Sequence, residues 1–201
     1  MPGFEWIDNR ELEAVKEIFD EGGVLFAHGW DSSRKRYHVR ELEDQTSRYF
    51  GTSYSNAVSS GTAAIKVALK AMGVKKGAKV LTQAFNFIAT IEAILDCGAE
   101  PIICPVDDNL HLDLQAVDKL CDQHDFKAII IVHMLGMGGP IQDLLKLSEK
   151  RNVPVLEDNC ESIGASCNGK LLGSLAPCGV LSMDHGKMIT SGEGGIVLSQ
   201  K

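Results

Sequence analysis

Val153-Pro154-Val155-Leu156-Glu157-Asp158 decides how this chain is read. An apolar run that starts beside a proline and ends in two acids reads as a short buried strand with charge at its carboxyl end. Similar runs occur at 57–59, 79–82, 101–104, 128–132, 179–182 and 195–199. Helix-like stretches lie between the earlier runs, at 62–72, 87–97, 114–123 and 141–150, and Pro140 suits the first position of the last of these. Turn signals such as Gly73-Val74-Lys75-Lys76-Gly77 separate the segments. Strands alternating with helices predict βαβ units, right-handed crossovers and an α/β, three-layer sandwich around a mostly parallel sheet of seven strands. No clear helix joins the last two runs, so the final strand is expected to run antiparallel.

The region before this alternation is different. Residues 10–20 read as an amphipathic helix with Leu12, Val15, Ile18 and Phe19 on one face, and 40–50 as a second helix. Residues 22–40 read as irregular, with Gly22-Gly23, His28-Gly29-Trp30 and the basic Arg34-Lys35-Arg36. That trio reads as a solvated loop; anion binding toward a substrate or a partner subunit is the other reading. The expected organisation is an N-terminal arm with helices over 1–50 and a larger domain over 51–201.

Bulk properties narrow the function. The chain has 201 residues and a formal net charge of −7, which argues against nucleic-acid or anionic-membrane partners. No apolar run approaches the roughly 18 residues of a membrane span, and the opening Met1-Pro2-Gly3-Phe4-Glu5-Trp6 does not read as a signal peptide. Cys97, Cys104, Cys121, Cys160, Cys167 and Cys178 form no C-x-x-C pair. They read as reduced, mostly buried thiols of a cytoplasmic protein, and no metal site is expected.

In open α/β sheets ligands bind beyond the carboxyl ends of the strands, and three motifs fall there. Ser60-Gly61-Thr62 opens a helix: Gly61 admits close backbone approach of an anion, Thr62 offers a hydroxyl, and the helix N-terminus adds its dipole. The same residues also read as an ordinary N-cap. Asp158 closes its strand, where a carboxylate can hold a proton on a buried pyridine nitrogen; a helix cap or a metal ligand are the other readings. Asp107-Asp108 is a rival acidic pair, but Asn109-Leu110-His111 after it looks like a turn. Lys187 follows Gly186 and precedes Thr190-Ser191-Gly192-Glu193-Gly194-Gly195, a tightly specified loop. An acid at a strand end, a lysine on such a loop and a phosphate-cradling turn together suggest pyridoxal 5′-phosphate.

These motifs, in this order and spacing, resemble the DegT/DnrJ/EryC1/StrS sugar aminotransferases of the aspartate-aminotransferase superfamily. The resemblance rests on Ser60-Gly61-Thr62-Ala63-Ala64, on Glu157-Asp158 followed by Ile163-Gly164, and on Lys187 with Ile189-Thr190 and Gly192-Glu193-Gly194-Gly195. Val132-His133-Met134-Leu135-Gly136 is similar to a strand-end motif of the same family. The opening Pro2-Gly3-Phe4-Glu5 and the long segment before Val39-Arg40-Glu41-Leu42-Glu43 look most like the branch that aminates eight-carbon keto-sugar acids. The resemblance implies a pyridoxal-phosphate large domain and a cytoplasmic homodimer that moves an amino group from an amino acid, such as glutamate, to a keto-sugar in polysaccharide or amino-sugar biosynthesis. It implies that Lys187 anchors the cofactor and shuttles the proton, that Asp158 pairs with the ring nitrogen, and that Phe87 stacks on the ring. Ser60, Gly61, Thr62 and Ser182 then surround the phosphate. Core packing is the plain alternative for Phe87.

Some positions depart from the family pattern. Glu161 stands where the family usually has Gln or His, and the run Glu157-Asp158-Asn159-Cys160-Glu161 resembles pyridoxal-dependent sugar dehydratases, which replace the lysine by histidine. Glu161 beside the cofactor's phenolic oxygen would repel it if ionised. His185 lies out of register and reads as a loop histidine. Leu135 replaces a frequent tyrosine, and His133 reads either as a neighbour of the cofactor or as a packed, hydrogen-bonded core histidine. Family members are about twice as long, so a C-terminal small domain is expected to be missing from this chain and little activity is expected of it alone. A non-catalytic cofactor-binding fragment is a further reading.

Overall fold

The computed structural model describes residues 3–23, 25 and 35–200. A short turn at Gly3–Trp6 precedes helices α1 (Asn9–Asp20) and α2 (His38–Phe50). Then follow β1 (Tyr54–Val58), α3 (Gly61–Ala71), β2 (Lys79–Gln83), α4 (Ile88–Asp96), β3 (Glu100–Cys104), α5 (Leu114–Gln123), β4 (Phe126–Val132) and α6 (Ile141–Arg151). The chain continues as β5 (Val155–Asp158), a small hairpin of β6 (Ser166–Cys167) and β7 (Lys170–Leu171), β8 (Cys178–Ser182) and β9 (Gly195–Ser199). The main sheet has seven strands in the order β1-β9-β8-β5-β4-β2-β3. Its pairings are parallel except where β9 meets β1 and β8, so the final strand is the antiparallel one.

All seven expected strands are present, and the differences are local. β1 starts at Tyr54, earlier than its apolar run, because its exposed and half-buried positions hide it from a hydrophobic count. Pro140 takes the N-cap of α6 instead of its first turn. The β6–β7 hairpin was not expected. Its turn, Asn168-Gly169, has φ of +50° and +77°, the left-handed pair that a tight two-residue hairpin requires.

The core follows the strand pleat. Ile130 and Val132 of β4 face α3 and α4, with Ala64, Ile65, Leu69, Ile94 and Leu156. Ile129 and Ile131 face the other way, with Val117, Ile141, Leu144 and Val155 beside α5 and α6. Burial on both faces makes residues 128–132 of β4 an unbroken apolar run. Phe50 of α2 packs with Leu181, Ile196 and Leu198. The Glu43 carboxylate accepts from the Ala57 N–H at 2.8 Å, which ties α2 to β1.

The N-terminal segment behaves differently. A capping box of Asp8 and Glu11 starts α1, yet α1 buries no residue, and Leu12, Val15 and Phe19 are exposed among the described residues. His28-Gly29-Trp30 and Arg34 lie outside the described residues. Arg36, from the same basic trio, forms an ion pair with Glu41 at 2.8 Å. No helix among the described residues is long and apolar enough to cross a membrane.

Gly195 sits where β9 passes the end of β1, paired with Val58 and Ser182. A Cβ there would lie 2.2 Å from the Ser60 carbonyl oxygen and 2.4 Å from its carbon. Neither neighbour is a flexible side-chain end. Gly195→Ala is therefore expected to lower stability by about 1–3 kcal/mol, the usual range for overpacking, read by urea unfolding of the two proteins.

Candidate active site

Loops leaving the carboxyl ends of β1, β2, β4, β5 and β8 enclose a cavity of about 200 Å³. Every residue selected from the sequence lines it: Ser60, Gly61, Thr62, Phe87, Asp158, Glu161, Ser182 and Lys187. A larger open groove of about 860 Å³, between α2, α6 and the β6–β7 hairpin, contains none of them.

The β1–α3 turn forms one wall. Ser60 is the N-cap of α3, and its Oγ accepts from the Ala63 N–H at 3.1 Å, so the capping role is real. The turn also crowds the pocket. A Cβ on Gly61 would lie 2.8 Å from Ser182 Cβ and 3.1 Å from Cys160 Sγ. Only a glycine lets the helix N-terminus come this close to the end of β8.

Asp158 and Glu157 are successive residues of β5, so the pleat sends their side chains to opposite faces. Asp158 is 3% exposed and faces the cavity. Thr90 Oγ1 donates to its Oδ2 at 2.9 Å, and the Cys160 N–H donates to its Oδ1 at 3.2 Å. Glu157 is fully buried on the far face. Its carboxylate accepts from the N–H groups of Gly173, Leu175 and Ala176 in the connection before β8. His133 Nε2 lies 3.0 Å from Glu157 Oε2. Of the two readings of His133, the packed, hydrogen-bonded one holds. Among the described residues His133 Nδ1 and Asn159 Nδ2 are the buried side-chain atoms without a hydrogen-bond partner.

Lys187 reaches the cavity from a loop held by its own backbone. The Met183 N–H donates to the Gly194 carbonyl at 2.9 Å, and the Ser191 N–H to the Met183 carbonyl at 3.1 Å. The Gly3 N–H bonds to the Lys187 carbonyl at 2.6 Å, which fastens the N-terminal turn to the same loop. Lys187 Nζ lies 3.4 Å from Glu161 Oε1 and 5.6 Å from the centroid of the Phe87 ring. Phe87 is 54% exposed, so core packing does not explain it. Burial, with Asp158 adjoining, pushes the Cys160 thiol well above the usual thiol range. It is a neutral group in the wall of the cavity.

The remaining polar residues stay at the rim or outside. His185 is exposed and bonds to Asp184 at 3.2 Å, as a loop histidine. The Gly186 N–H first, then His185 and Lys187, hold the Asp184 carboxyl below the usual range. The possible ligand atoms of Asp184, His185 and Glu193 lie within 4.8 Å of one another on the rim. Leu135 is exposed at φ +54°. Asp107 accepts from the N–H groups of Asn109 and His111, the turn its sequence suggested.

The DegT/DnrJ/EryC1/StrS aminotransferase family profile matches residues 7–201. The chain belongs to this family. GDP-perosamine synthase of Vibrio cholerae is 30% identical over 96% of this chain and 50% of its own length. The crystal structure of 3-amino-5-hydroxybenzoic acid synthase superposes with a TM-score of 0.86 at 31% identity, over 96% of this chain and 48% of that one. The E. coli GDP-4-keto-6-deoxy-D-mannose-3-dehydratase with bound hydrated PLP superposes with a TM-score of 0.80 at 25% identity, over 97% of this chain and 49% of that one. The chain spans about half the length of the curated relatives it matches.

Sequence reading missed three features: Thr90, the Cys160 wall and the Glu157 anchor. Thr90 stands three residues after Phe87, in the first turn of the helix that Phe87 caps. That signal was available. The partners of Glu157 are backbone N–H groups, which no residue identity announces. Glu157→Gln turns an amide N–H toward these donors and is expected to cost about 2–4 kcal/mol. Denaturant unfolding of the ligand-free protein reads this cost.

Proposed function

We propose that this chain forms the cofactor-binding part of a pyridoxal 5′-phosphate-dependent aminotransferase, which moves an amino group from an amino acid such as glutamate to a keto-sugar. The observation that carries this reading is that Asp158, Lys187 and the exposed Phe87 line one cavity of about 200 Å³, with Lys187 Nζ 5.6 Å from the Phe87 ring. The residues fit the group. A buried carboxylate suits a protonated ring nitrogen, and an exposed aromatic face suits a planar ring. Gly61, with no room for a Cβ, brings a helix N-terminus against the Ser182 hydroxyl, and Thr62 lines the same cavity, a set of groups that suits a phosphate.

The cofactor, when bound, supplies the electron sink for the carbon that loses its proton. The chain's own residues supply the rest. Asp158 holds the proton at the ring nitrogen. Lys187 Nζ would anchor the cofactor and move a proton between the reacting carbons. Glu161 forms an ion pair with Nζ at 3.4 Å. The high thiol of Cys160 stays protonated and does not compete with Lys187.

The unit from residue 51 onward is the part assigned to the cofactor. Support for a sugar substrate comes from relatives such as GDP-perosamine synthase. A cytoplasmic homodimer acting in polysaccharide or amino-sugar biosynthesis completes the reading, and the free state of all six described cysteines agrees with that compartment.

Dehydration of a keto-sugar is the second reading, favoured by Glu161 and by the dehydratase fold likeness. The lysine at 187 favours amino transfer. Incubation with pyridoxal 5′-phosphate is expected to give a visible absorption band, and borohydride followed by peptide mapping is expected to place the adduct on Lys187. An adduct elsewhere, or none, contradicts the assignment. With glutamate and a panel of keto-sugars, including an eight-carbon keto-acid, aminated sugar supports transfer. Deoxygenated sugar supports dehydration instead.

A further inference from the structure

We infer that Thr90 is the residue that positions Asp158 toward the cofactor. The inference rests on the cofactor reading above and adds a residue to it. Thr90 is fully buried in the first turn of α4. A buried hydroxyl needs a partner, and a helical threonine commonly finds one in the carbonyl a turn earlier. Thr90 instead reaches out of its helix, to Asp158 Oδ2 at 2.9 Å on β5.

The geometry gives that bond a consequence. Asp158 is the last residue of its strand, and the ladder holds its backbone: it pairs with Val132 and Val180, and its carbonyl accepts the His133 N–H at 3.0 Å. The ladder leaves the two side-chain torsions of Asp158 free. Two donors set them. The Cys160 N–H on Oδ1 is at 3.2 Å, the long end of the hydrogen-bond range. Thr90 supplies the shorter contact on the other oxygen. Together they fix the carboxylate plane, and the lone pairs they do not use stay available to the cavity that both residues line. Thr90 does not meet the ring nitrogen; it holds the carboxylate that would keep the proton there. The same helix start bears Phe87, so α4 sets both the ring-stacking face and the orientation of the carboxylate.

A packing role and a positioning role give different results. Valine has nearly the shape of threonine, so a packing role leaves Thr90→Val close to wild type. A positioning role costs cofactor affinity, and only while Asp158 is present. The test is a titration of the 201-residue chain with pyridoxal 5′-phosphate, followed by absorbance and by dialysis, for wild type, Thr90→Val, Thr90→Ser, Asp158→Ala and the Thr90→Val/Asp158→Ala double variant. Unfolding of each ligand-free protein is the control for folding. The expected results are a roughly tenfold rise in the dissociation constant for Thr90→Val, recovery of most of that loss by Thr90→Ser, and no further loss when Thr90→Val is added to Asp158→Ala. Thr90→Ala replaces the valine variant if the latter does not fold.

Wild-type affinity in Thr90→Val, or an equal loss with and without Asp158, overturns the inference while leaving the cofactor reading intact. A wild-type chain that takes up no cofactor removes that reading and this inference with it.

Discussion

Two carboxylates stand back to back at the end of β5, and the site depends on how each is held. Burying a charged group is costly unless hydrogen bonds replace its water. Glu157 meets that cost below the sheet with three backbone N–H groups and His133, and so ties the connection before β8 to the middle of the sheet. Asp158 meets it above the sheet with Thr90 and the Cys160 N–H. The better-satisfied acid is structural, and the one with spare capacity faces the cavity. Exchange of the two roles would require a one-residue slip of β5, which would invert the whole strand.

A second constraint is crowding where strand ends meet. Ser60, Gly61, Ser182 and Gly195 come from three strand ends and occupy one small volume. Glycine at 61 and 195 allows the backbone itself to form the wall. The antiparallel course of β9 follows from the same layout, because the lysine loop returns directly to the sheet instead of crossing it by a helix. The loop is short, internally bonded and fastened to Gly3. It therefore presents Lys187 to the cavity that Asp158 and Phe87 also line.

Much of this was legible in the sequence, for identifiable reasons. The central strands are buried on both faces and read as unbroken apolar runs, as in Ala128–Val132. The pocket residues lie at strand ends, where a charged or glycine-rich break stands out. The features that were not legible depend on pairing in three dimensions. His133 was open between two readings because its side chain's face is set by the register of β4 against β5. Glu157 looked like a companion of Asp158, since neither its backbone partners nor its opposite orientation is visible without the fold. The periodicity marked an apolar face on α1, and Leu12, Val15 and Phe19 of that face are more than half exposed among the described residues. Periodicity identifies an apolar face and leaves open what covers it.

The central claim is that Asp158 keeps a proton on the ring nitrogen of a bound pyridoxal 5′-phosphate. The ¹⁵N chemical shift of ring-labelled cofactor, bound to the protein near neutral pH, measures that proton directly. A shift in the protonated pyridinium range, moving to the unprotonated pyridine range in Asp158→Ala, is the predicted result. An unprotonated nitrogen in the wild-type protein, or a protonated one that persists without Asp158, would contradict the account.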